Sequence, residues 1–157
     1  MRDSVVVPGG IAGLIAGVVM AMWAMIVAAV MGAGLLAPPQ MIAEPFFGPF
    51  QMGTFNAVAF VVGLVVHMMF SIAFGIIFAL IWQGIAQGGI VAVIGGMMYG
   101  LIIWVVMSYV VAPVVGSHIA QEMPLWAWVV AHLMFGMVLG LWPVVRPADV
   151  LKPAAQG

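Results

Sequence analysis

Two histidines stand inside long apolar runs of this 157-residue sequence. Each opens nearly the same nine residues, "HMMFSIAFG" from His67 and "HLMFGMVLG" from His132. Imidazoles in such surroundings could do one of three kinds of chemistry. They could fix helix packing, with each ring N–H donating to a backbone carbonyl or to Ser71 on a neighbouring helix. As a pair at one depth they could ligate a haem b from its two faces and make the chain an electron carrier. They could also stand on a path for protons, metal ions or solute, since ionisable residues at membrane depth are functional candidates by default. Packing is the favoured reading, with no cofactor and no metal expected. No acidic residue accompanies either ring within its span, which weakens a pump.

Other reactive types are sparse. Glu44 and Glu122 are related by their surroundings, "IAEP" and "IAQEMP", and read as solvated carboxylates at a membrane edge. Fifteen methionines suggest Cu(I), which suits thioethers. Yet Met20, Met22, Met97 and Met98 read as gap-fillers, and only Met41, Met52 and Met123 with His118 could gather in the connections. There is no cysteine, so disulfides, iron–sulfur clusters and thiolate metal sites are excluded. Neither a Ser/His/Asp set nor paired carboxylates on one helix occur, so no enzyme is expected. Three basic residues cannot form a nucleic-acid footprint.

The elements that carry these residues follow from composition. Charged residues are 4% of the chain and hydrophobic ones 67%, whereas soluble chains carry roughly 25% charged residues. Four apolar runs reach the about 20 residues a helix needs to cross a bilayer. They cover about Gly9–Leu36, Asn56–Trp82, Gly89–Ala112 and Pro124–Trp142, with prolines including Pro113, Pro143 and Pro147 marking their ends. The first run is too long for a cleaved signal peptide. "PPQMIAEPFFGPFQMGTF" reads as an interfacial loop dipping its rings into the headgroups, and Trp82, Trp142, Trp126 and Trp128 as interfacial belts. Arg2, Arg146 and Lys152 share one side, which by the positive-inside rule puts both termini in the cytoplasm.

The spans also repeat. "GGIAGLIAGVV" from Gly9 is matched by "GGIVAVIGGMM" from Gly88, and the two histidine segments match each other. The expectation is an all-α integral membrane four-helix bundle, one transmembrane domain over 1–157. It is built from two tandem transmembrane hairpins in a parallel internal repeat, about 1–84 and 85–157. Small residues four apart share a helix face. Gly13 and Gly17 mark the first span, and Gly63 and Gly75 the second, on the face of His67 and Ser71. Gly96 and Gly100 mark the third, and Gly136 and Gly140 the fourth, beside His132. These stripes are where helices approach closely in membranes.

With "GLIAGVV" in the first span, "HMMFSIAF" in the second, and "MPLWAW" and "AHLMFG" around the fourth, the chain resembles the YagU-like family of small bacterial inner-membrane proteins. The resemblance covers most of the chain through short apolar motifs, although the first outer loop is shorter here. It implies a multi-pass helical protein of the bacterial inner membrane and brings no reaction, cofactor or catalytic residue. The expected function is non-catalytic: a homo-oligomer, or an accessory subunit docked on other membrane proteins. The alternatives are the bis-His haem b carrier and a small transporter of protons, metal or solute.

Overall fold

The computed structural model describes residues 3–85 and 88–145. They form helices α1 (Asp3–Val30), α2 (Ala37–Ile42), α3 (Glu44–Phe47), α4 (Ala57–Trp82) and α5 (Ile90–Val106). A π-helical turn (Met107–Val111), α6 (Ala112–Val115), α7 (Ile119–Glu122) and α8 (Leu125–Val145) follow. Four segments are long and apolar enough to cross a membrane: Val5–Val30, Ala57–Trp82, Ile90–Val115 and Leu125–Trp142. Arg2, Arg146, Lys152 and Pro147, on which the expected orientation and the last helix end rest, lie outside the described residues.

Helix ends are set by local chemistry. Asn56 caps α4, its side-chain oxygen accepting the N–H groups of Val58 and Ala59 at 3.0 Å each. α1 stops at a Schellman motif rather than at "APPQ". Gly32 takes φ 86°, Ala33 N–H donates to the Ala28 carbonyl at 2.9 Å, and Gly32 N–H to that of Ala29 at 3.2 Å. Two prolines expected to end helices sit within them instead. Pro143 lies inside α8, and the third span runs through Pro113 to Val115. The π turn inserts a residue just ahead of Pro113, where a regular helix would meet the proline's missing donor and ring clash. Gly116, at φ 77°, ends that span, with Ser117 N–H on the Ala112 carbonyl at 3.0 Å.

Glycine lets the spans pair at backbone distance. A Cβ at Gly75 would strike the backbone of Gly13, and one at Gly17 would strike Ser71, so α1 and α4 interlock. A Cβ at Gly140 would strike Ala92, one at Gly136 would strike Gly96, and one at Gly100 would strike the His132 carbonyl, so α5 and α8 interlock likewise. Gly63 departs from the expectation of span-to-span packing, for it receives the Pro39 backbone of α2.

The two pairs meet through α1 and α8, which form the centre, while α4 and α5 flank them. About half of α1 and α8 is buried but only 22% of α4 and of α5. α4 and α5 come together at an aromatic cluster. Phe78 stacks on Trp82 and lies 5.3 Å from the Tyr99 ring, and the Tyr99 hydroxyl donates to the Phe74 carbonyl at 3.0 Å. Trp82, expected in an interfacial belt, is buried there and covers Gly95.

The segment expected to be an interfacial loop is instead largely packed protein. Ala37 to Met41 of α2 are buried against α1 and α4. Gln40 ties it down, donating to the Leu36 carbonyl at 2.9 Å and accepting the Asn56 N–H at 2.7 Å. Its outward rings, Phe46, Phe47 and Phe55, do remain exposed.

Candidate functional site

Away from the aromatic cluster α4 and α5 splay apart, and between them lies a cavity of about 390 Å³. That volume is within the range of small-molecule sites, roughly 300–1,000 Å³. Phe74 and Phe135 line the end near the cluster, and Ile42, Phe46 and Ile119 the end near the connections. The π turn contributes Met107 and Val111, and both histidines line the cavity together with Ser71, Ser117 and Trp128. The structure thus brings His67 and His132, one from each hairpin, to one space.

Their hydrogen bonds differ. His67 Nε2 lies 3.0 Å from the Gly17 carbonyl on α1. His132 Nδ1 lies 2.9 Å from the Trp128 carbonyl, one turn back in its own helix. A carbonyl only accepts, so the facing nitrogen carries the hydrogen. In the neutral ring this fixes the Nε2–H form of His67 and the Nδ1–H form of His132. His67 therefore ties α4 to α1 where glycine allows close approach, whereas the bond of His132 joins no two helices. His132 is only 2% exposed and meets Trp128 edge to face at 4.6 Å.

Ser71 does not serve the rings as expected. Its hydroxyl donates to the His67 carbonyl at 2.8 Å, the i−4 bond that satisfies a serine within its own helix. Trp128, expected at the interface, is buried, and its Nε1–H donates to Ser108 Oγ of the π turn at 2.9 Å. Ser117 Oγ donates to the Met41 carbonyl at 3.1 Å.

Glu44, expected to be solvated, is buried and only 4% exposed. Its carboxylate accepts the N–H of Phe50 at 2.9 Å and that of His118 at 2.7 Å, with His118 Nδ1 at 3.3 Å. A carboxylate can leave water when backbone donors replace it, and the connection between α1 and α4 supplies one while that between α5 and α8 supplies another. Glu122 is exposed, yet its carboxyl is held above its ordinary value of 4.5. Partial burial is the main cause, the charge of Glu44 adds to it, and His118 opposes it. The similar flanking residues relate Glu44 to Glu122, but no local pattern links Glu44 to His118, whose main-chain N–H it accepts.

The methionines of the copper reading divide: Met41 and Met123 are core residues and Met52 is exposed. Among the described residues, no three of His, Asp and Glu gather as a metal site would need. Comparison with known protein families, curated proteins and solved structures gave no match to this chain.

Proposed function

We propose that this chain is a non-catalytic, multi-pass protein of the bacterial inner membrane, of the YagU-like kind, with both termini in the cytoplasm. It works as a homo-oligomer or as a small accessory subunit of a larger membrane assembly. The observation that carries this reading is where the spans direct their polar and apolar groups. His67, Ser71, Tyr99 and His132 all give their hydrogens to backbone carbonyls of the same chain. Apart from the ring tips of Tyr109 and Trp126, what the spans present to the surroundings is mainly large apolar side chains, as in the exposed ridge Ile90, Ile94, Met98 and Ile102 along α5. Such a ridge suits acyl chains and the helices of a second membrane subunit alike.

The tandem repeat is supported by register. Shifting α1 onto α5 by 79 residues and α4 onto α8 by 65 carries His67 to His132. The same shifts turn the contact of Gly13 with Gly75 into that of Ala92 with Gly140, and the contact of Gly17 with Ser71 into that of Gly96 with Gly136.

The haem b reading is favoured by one observation, that both rings line one cavity. Ligation through Nε2 suits His132, whose Nδ1–H already has a carbonyl partner. His67 would first have to release Gly17.

Isolation in mild detergent, with mass determination of the intact particle and an absorption spectrum, separates these readings. The subunit reading expects a colourless homo-oligomer or a constant companion protein, and a lone monomer would overturn it. A Soret band lost in His132→Ala would establish the haem reading instead.

A further inference from the structure

Among the described residues, the walls of the cavity between α4 and α5 are apolar except for five side chains, His67, Ser71, Ser117, Trp128 and His132. Each of these carries one hydrogen to donate, and each hydrogen is already taken. The acceptors are the carbonyls of Gly17, His67, Met41 and Trp128 and the hydroxyl of Ser108. What the polar walls retain is lone pairs: Nδ1 of His67, Nε2 of His132, and the hydroxyl oxygens of Ser71 and Ser117. Among its described side chains such a cavity offers acceptors and no free donor, so a ligand's hydroxyl finds a partner there and a ligand's carbonyl or ether oxygen does not.

The entrance points to where such a ligand comes from. Phe46, Phe70 and Val115 line the cavity and are also exposed. The mouth therefore lies between α3, α4 and α6, on the flank of the bundle, in the stretch where α4 and α5 do not pack together. A molecule dissolved in the bilayer reaches it sideways.

We propose that this cavity is a binding site for an apolar, bilayer-dissolved molecule bearing a hydroxyl donor, a phenolic or hydroquinone ring or a lipid alcohol, with His132 and Ser71 as principal acceptors. The site requires only that the bundle sit in lipid, so it stands apart from the oligomer or accessory reading.

The test uses the full chain in phospholipid nanodiscs, with histidine labelled in ¹⁵N. Four probes are titrated: 4-nonylphenol, its methyl ether, 1-dodecanol and its methyl ether. The expected result is an upfield shift of the hydrogen-free nitrogen of His132 with a hydroxyl probe. That probe should bind about tenfold tighter than its ether, the ratio one good hydrogen bond supports. His132→Phe and, independently, Ser71→Ala should each lower that ratio toward one while the ether's affinity stays within about twofold. Binding of both hydroxyl probes, of the phenol alone or of the alcohol alone sustains the proposal and identifies the source of the ligand. Equal affinity for hydroxyl and ether, which a plain acyl chain filling the cavity would give, overturns it, as does the absence of any shift with every probe.

Discussion

The buried carboxylate of Glu44 accepts the main-chain N–H of His118 at 2.7 Å, joining the connection between α1 and α4 to that between α5 and α8. With the Ser117 hydroxyl on the Met41 carbonyl beside it, this contact fixes how the two hairpins sit at that end. Glu44→Ala leaves two backbone donors, of Phe50 and His118, without their carboxylate. The expected loss is about 2–3 kcal/mol, measured by reversible unfolding in mixed micelles. Wild-type stability in that variant would mean that the contact does not hold the connections.

Glycine contacts within each pair should be equally intolerant of side chains. Gly136→Val places a branched side chain against the Gly96 backbone, and Gly75→Val does the same against Gly13. Each should cost about 3 kcal/mol or prevent folding. Gly88→Ala, with open space around it, should stay within about 0.5 kcal/mol of wild type. The same unfolding assay compares the three.

Stability should carry a pH signature from Glu122. Its carboxyl is raised on folding, so the folded state holds its proton more tightly than the unfolded chain does. Stability from this group is greatest below the ordinary value of 4.5 and falls as pH rises through the folded value. Glu122→Gln should remove that fall and leave the variant more stable than wild type near neutral pH, but not at acid pH. Unfolding curves from pH 3.5 to 7.5 check the sign.

Asn56 should matter locally rather than globally. Asn56→Ala removes the acceptor for Val58 and Ala59 N–H and should cost about 1 kcal/mol. Hydrogen exchange should accelerate at those two amides first, with the middle of α4 unchanged.

Much of the architecture was legible beforehand because it depends on local quantities. The second span is bounded to within a residue by its apolar content and by Asn56, whose side chain can cap a helix from its own position. The glycines at four-residue spacing mark close-contact faces without any knowledge of the partner. The third and fourth spans run past the prolines expected to end them, because a π turn accommodates Pro113 and because α8 continues through Pro143 to Val145.

The amino-acid order by itself determined that four helices are long and apolar enough to cross a membrane, and where their small residues lie. Only the tertiary structure decided that Glu44 is buried and that Trp128 turns inward. It also decided that Ser71 bonds its own helix, and that α4 and α5 part to leave a cavity lined by both histidines. The physical reason is that lipid and protein interior are alike apolar. Hydropathy marks what leaves water without saying which face meets another helix, and that choice belongs to contacts between residues far apart in the chain.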